Sequence, residues 1–133
     1  MNINNLAKAI TTELEQYSQE IANNLKKDTE IIAKECAEEL KLTSPQSSKG
    51  GSRTYSKGWT FKKAYESNAG IRYRVFNKNK PQITHLLEYG HAKTNGGRVE
   101  AKPHIKQAEL KAKENLIKKV KESIKRWVNY MNY

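Results

Sequence analysis

The feature that most limits how this chain can fold is an unbroken apolar stripe along its first third. Ile3, Leu6, Ile10, Leu14, Tyr17, Ile21, Leu25, Ile32, Cys36 and Leu40 recur at steps of three and four, with one step missing at Asp28. That period lays a single apolar face on an amphipathic helix, with Lys, Glu, Gln and Asn on the other side. Residues 3–40 contain neither Pro nor Gly. The spacing therefore predicts one helix, about 55 Å long at about 1.5 Å per residue. A globule of 133 residues does not need such a rod. The stripe is expected to pack on more than its own domain: a sheet plus a neighbouring subunit, or another helix. The competing reading breaks the rod at Asn23–Asn24 into two antiparallel helices, because Asn is a poor helix former.

A second amphipathic helix closes the chain. Pro103 is placed to start it. Ile105, Ala108, Ala112, Leu116, Val120, Ile124, Trp127 and Met131 form its stripe, and Lys106, Lys111, Lys113, Lys118, Lys119, Lys121 and Lys125 crowd the other face. Between the two helices the pattern changes. Thr43 to Thr54 (TSPQSSKGGSRT) reads as a flexible basic loop carrying Lys49 and Arg53. It is either a solvated connector or an arm that orders on a partner. Residues 55–63 place Tyr55, Lys57, Trp59 and Phe61 on one side, and residues 71–77 set Ile71, Tyr73 and Val75 against Arg72, Arg74 and Phe76. With the turn residues ESNAG between them, these runs predict an antiparallel hairpin with one apolar and one basic face. Aromatics among Arg and Lys can stack on single-stranded nucleic acid, but at inward strand positions the favoured reading is core. Pro81 opens a short helix over Gln82 to Glu88, Gly90 ends it with a left-handed cap, and Arg98 to Ala101 add a third short strand. The fold class that follows is α+β: a long N-terminal and a C-terminal helix packed on a small antiparallel sheet of about three strands, with a short helix before the last strand. The length suits one domain over residues 1–133, with the helix in 1–42, the loop in 43–54 and the rest in 55–133.

Charge divides the chain unevenly. The total is +11, yet residues 1–42 hold five Lys against eight Asp and Glu, while residues 43–133 hold twenty Lys and Arg against six Glu. A balance of −3 beside one of +14 points to an acidic partner, either nucleic acid or a negative protein surface. No basic segment followed by an apolar run marks a secretory signal, and no stretch approaches the roughly 20 apolar residues of a membrane span. The expectation is a protein that stays in a cytoplasm or leaves it inside something larger. The lone Cys36 rules out an internal disulfide framework and fits a small apolar filler.

Ile83 to Ile105 gathers all three histidines, and clustered His and Glu are what metal and acid–base chemistry use. The spacing argues otherwise. A zincin helix needs HExxH, whereas His85, Glu88 and His91 stand at steps of three and His91 lies beyond Gly90. A nuclease would need more carboxylates than Glu88 and Glu100, and no Gly-flanked nucleophile stands out. No catalytic residue, metal or cofactor is expected. The plain reading is a corner: Leu86 and Leu87 bury the short helix, Gly90, Gly96 and Gly97 supply unusual backbone, and His85, His91 and His104 bond carbonyls around it.

The order of these elements is also informative. YSKGW (Tyr55 to Trp59), a basic strand, HLLEYGHA (His85 to Ala92), GGRV (Gly96 to Val99) and PHI (Pro103 to Ile105) resemble the tail-component family of long-tailed bacteriophages, whose members act in head–tail joining or tail completion. The resemblance covers most of residues 55–133. The first helix fits in kind but carries no diagnostic motif. It implies a non-enzymatic structural virion protein of the neck or tail, made in the bacterial host cytoplasm and without membrane contact. Copies would form a homo-oligomeric ring and join other phage neck, connector or tail proteins. Trp59, His85, Glu88, Gly90, His91, Gly97, Val99, Pro103 and His104 would be fold-defining or interface residues. The acidic helix and basic remainder would meet head to tail, and the remaining positive charge would face an acidic neighbouring protein or genomic DNA in the lumen. The first is favoured, since a basic lumen would grip DNA through many phosphates. Two other readings stay open: a basic nucleic-acid-binding protein and, further off, a metal-dependent nuclease or hydrolase.

Overall fold

The computed structural model describes residues 3–46, 51, 54–68 and 70–131. Lys49 and Arg53, the basic residues of the expected loop, lie outside the described residues. Helix α1 (Ile3–Thr43) runs through Asn23–Asn24 without a break. Gln19 Nε2 donates to Asn23 Oδ1 at 3.1 Å, an i,i+4 bond of the kind that supports a helix and offsets the poor propensity of Asn. At 41 residues the helix is about 60 Å long. Every described side chain from Asn5 to Glu20 is exposed, and burial begins at Ile21. The first half of the rod therefore stands off the body of the molecule.

The last helix, α3 (Ile105–Met131), lies along the second half of α1. Glu39 pairs with Lys111 at 2.9 Å and Asp28 with Lys119 at 3.9 Å, so the two helices run antiparallel. Such part-exposed pairs are worth roughly 0–1 kcal/mol each and set register more than stability. The close approach comes from small residues: Ala33, Ala37 and Ala108 are all buried. Around them Leu40, Tyr55, Trp59 and Ala108 form the core, with Cys36, Val75, Ile83, Leu87 and Ile105 packed against it. The expected stripe of α3 drifts at its far end. Ile124 is half exposed and Ser123 is buried in its place, because the contact with α1 follows 108, 112, 116, 119 and 123.

Strands β1 (Trp59–Ser67) and β2 (Gly70–Asn77) form an antiparallel hairpin against α1. β1 begins at Trp59 and not at Tyr55, because Ser56–Gly58 make a tight 3-10 turn. Asn77 holds that turn: its Nδ2 donates to Tyr55 O at 2.6 Å, and its Oδ1 accepts from the N–H groups of Asn79 and Lys80. A Cβ on Gly58 would overlap the Asn77 side chain. β1 also runs past Lys63, where the register slips by one residue before Tyr65. A bulge of this kind reverses the alternation. Phe61 and Lys63 face α1 before it and Glu66 faces α1 after it, where Lys26 reaches Glu66 at 3.4 Å. Read as strict alternation, the strand ends at Lys63.

Pro81–Ile83 and then helix α2 (Thr84–Tyr89) follow, ending at Gly90 with φ 77°. The strand expected at Arg98 is present as β4 (Arg98–Val99), but it pairs with β3 (His91–Ala92). Among the described residues the architecture is thus α+β, with two long helices and two separate two-stranded ladders.

Candidate functional site

The corner between α2 and α3 is where the conspicuous residues of the sequence meet. The first N–H groups of a helix have no partner within it, and α3 has no acidic residue in its first turn. Glu88, from α2, fills that role. Its Oε2 accepts from the N–H of His104 at 2.8 Å and of Ile105 at 2.9 Å, and its Oε1 from Lys106 at 3.1 Å. A carboxylate at this end also meets the positive pole of the helix dipole. Burial alone would push the Glu88 carboxyl up, since only 6% of the residue is exposed, but the three N–H bonds and the nearby His104 ring hold it below the ordinary glutamate range.

His104 is 1% exposed. Its Nδ1 lies 2.6 Å from Lys102 O, and a carbonyl can only accept, so that nitrogen carries the hydrogen. Its Nε2 stands 2.7 Å from the Tyr55 hydroxyl, which donates to it in the neutral ring. Burial raises the Tyr55 pKa, a bond with Thr84 partly opposes this, and the Glu88 charge adds to it, so the phenol keeps its proton. The imidazole sits edge-on to both Tyr55 and Trp59, with centroids 5.5 and 6.2 Å away. The Trp59 indole N–H donates to Ser44 Oγ at 2.7 Å, which ties the start of β1 to the end of α1.

The backbone completes the joint. Lys102 N–H donates to Leu87 O at 2.7 Å. Gly90 sits at positive φ, and a Cβ there would lie 2.6 Å from Val99 O and 3.0 Å from Ala101 N. Two independent constraints thus demand glycine at this position. Gly97 turns the small hairpin at φ 81°, Val99 pairs with His91, and Pro103 stands exposed just before the helix.

The other two histidines do not join this cluster. His85 is exposed and turns to the Tyr89 ring one helical turn on, 4.8 Å between centroids, and it does not make the carbonyl bond expected of it. His91 is half-buried, and its Nδ1 has no hydrogen-bond partner. Leu86, expected to bury α2, is exposed, and Leu87 alone packs on the core. Among the described residues no three of His, Cys, Asp and Glu come together as a metal-holding group. Burial, with Glu39 and Glu109 adding to it, pushes the Cys36 thiol up, which disfavours the reactive thiolate. The arrangement fixes an angle between two helices. Its carboxylate is already engaged by three donors and its imidazole is shut off from solvent. Sequence reasoning missed Ser44 and Asn77, and took Tyr55 for a strand residue. The Asn77-x-Asn79 spacing at a strand end was the available signal, since Asn side chains bond backbone two residues on.

This is a helix-and-hairpin α+β protein with a polar joint closed on itself and a rod that outreaches its body. The model of the family described as "Bacteriophage HK97-gp10, putative tail-component" matches residues 8–90, and the chain belongs to that family. It is a phage tail-component protein, a structural constituent of the virion alongside other phage structural proteins. The match takes in α1 from Lys8 onward, in which no diagnostic motif was legible, and it ends at Gly90, so GGRV and PHI fall outside it. No curated protein and no solved structure matches. No helix among the described residues is long and apolar enough to cross a membrane.

Proposed function

We propose that the chain is made in the host cytoplasm and assembles into a ring at the neck or the head-proximal end of the tail, in head–tail joining or tail completion. The observation that carries this reading is surplus surface. The chain exposes 10221 Å², whereas a compact monomer of 15.3 kDa exposes about 7,100 Å² by the usual scaling. The difference, about 3,000 Å², is several times the roughly 800 Å² that one partner contributes to a standard interface. The exposed side chains described in the first half of α1 are part of it. The residues of the α2–α3 corner, from His85 to His104, then serve to hold the body rigid while the helices meet neighbours. Electron microscopy of the purified protein, alone and with tail tubes, should show closed rings or tubes capped at one end. Persistent failure to join any neck or tail protein would remove the reading.

One observation keeps a second reading in play. The outer face of the hairpin is basic: Lys62 and Arg74 bracket the Phe76 ring at 5.6 and 5.2 Å, with Arg72 exposed beside them. That face suits a polyanion, either an acidic neighbouring protein or DNA in the lumen. Binding of duplex DNA that weakens steeply with salt would favour DNA; no binding near physiological salt would leave the protein partner.

A further inference from the structure

Helix α3 has two apolar faces. One packs on α1. The other carries Leu110, Ile117 and Ile124, spaced by seven residues and between 51% and 53% exposed, with Val128 continuing the line. Steps of seven return to nearly the same side of a helix, so this is one bare seam about 21 Å long. Lys106, Lys113 and Lys121 flank it at steps of three and four, against the single Glu114. Lys113 makes only a 3.8 Å surface contact with Glu109.

The seam is not built to pair with itself. Two copies laid face to face would set a row of lysines against a row of lysines, and like charges at close range are repulsive. It calls for a surface that is apolar along its middle and acidic at its margins. Such a surface exists on this chain. On α1, Ile31, Glu35, Glu38 and Leu42 follow steps of four, three and four along one exposed side, and Leu42 is 82% exposed. Lys34 stands at its edge, and Glu38 is held only by the neighbouring Lys41 at 3.3 Å. These residues wall an open groove of about 610 Å³ whose floor includes Cys36 and Ala108. From Ile31 to Leu42 the face is about 16 Å long, close to the length of the seam.

We infer that the outer seam of α3 in one copy lies on the outer face of α1 in the next, with Leu110, Ile117 and Ile124 against Ile31 and Leu42, and Lys113 and Lys121 facing Glu35 and Glu38. The contact joins two different patches, so it propagates from copy to copy and closes only if its rotation closes. It deepens the ring reading above and rests on it. Both patches belong to the same two helices, so every copy offers one of each. The acidic first helix and the basic remainder are thereby brought together by named residues.

The test is sedimentation velocity of the full chain over a concentration series, with circular dichroism and thermal unfolding as controls for folding. All substituted residues are exposed, so the controls should match wild type. Wild type should associate. Ile117→Asp should weaken association at least tenfold, and so should the pair Glu35→Lys and Glu38→Lys. Adding Lys113→Glu and Lys121→Glu to that pair should restore association to within a few-fold of wild type. Association undiminished in either weakened variant would overturn the inference, as would failure of the four-fold variant to recover. A wild type that stays monomeric throughout would overturn it too. The tail role is read separately, from incorporation of the protein into phage particles, and that result can stand if the self-contact falls.

Discussion

The α2–α3 corner and the outer face of α3 begin within a few residues of each other and are built in opposite senses. At the corner the polar groups are turned inward. Glu88 is held by three N–H groups, and His104 is bonded on both ring nitrogens and shut off from water. On the outer face the apolar groups are turned outward, with Leu110, Ile117 and Ile124 half exposed along one line. An active site needs the reverse, a polar cluster open to substrate within an apolar frame. Inward polar groups fix a shape, and outward apolar groups await a surface. A structural tail component fits that division.

Breaking the corner should have the largest effect on folding. Glu88→Ala takes the acceptor from three N–H groups at the start of α3, that of His104 buried and those of Ile105 and Lys106 part-buried. Each such loss costs about 1–3 kcal/mol, so the variant should lose about 3 kcal/mol or more in urea unfolding. A loss under about 1 kcal/mol would show that water replaces the carboxylate and that the corner is not closed. Gly90→Ala should cost about 2–3 kcal/mol, from positive φ together with the close Val99 carbonyl. Ala at Gly97, also at positive φ but with only the Lys93 side chain at ordinary contact distance, should cost less.

The same carboxylate gives the corner a pH dependence with a definite sign. The Glu88 pKa is lower in the folded chain than its ordinary value. Its contribution to stability is therefore present above the unfolded pKa, near 4.3. It is lost as pH falls through the folded value, because the unfolded state takes the proton first. Wild type should lose stability below about pH 4.3 more steeply than Glu88→Gln, whose amide does not titrate. Parallel curves for the two proteins would assign the acid loss to other carboxylates. Tyr55→Phe is milder. It removes the hydroxyl that bonds both His104 and Thr84 and should cost about 1–2 kcal/mol.

How far the sequence could be read follows the same division. Periodicity placed both long helices, the hairpin and Gly90, because each is written in local spacing. The corner was expected at Ile83 to Ile105, but not which residues would close it. Glu88 reaches α3 across 16 to 18 residues and Tyr55 reaches His104 across 49, and no local pattern encodes such partners. The bulge near Lys63 hid the second half of β1, since one inserted residue reverses the alternation on which strands are recognised. The outer seam of α3 was legible as Leu110, Ile117 and Ile124 at steps of seven. The stripe that packs on α1 masks it, because a helix with one good apolar stripe is ordinarily taken to have one buried face. Ile124, which the three-and-four spacing places in the packed stripe, belongs to the bare one.

The two faces of α3 should differ most plainly in a pair of serine variants. Ile117→Ser removes an apolar side chain that is half exposed and outside the core. Exposed substitutions away from caps and cores usually change stability by no more than about 0.5 kcal/mol. Urea unfolding of this variant, measured at a concentration where the chain is monomeric, should overlay that of wild type. Ala108→Ser lies nine residues earlier on the same helix, but on the buried side against α1. It places a hydroxyl in the core and should cost about 1–3 kcal/mol. If Ile117→Ser proves as destabilising as Ala108→Ser, the outer seam is already packed within the monomer, and the contrast between the two faces of α3 fails. If it is neutral for folding and still weakens association, the seam is a surface kept apolar for a neighbour.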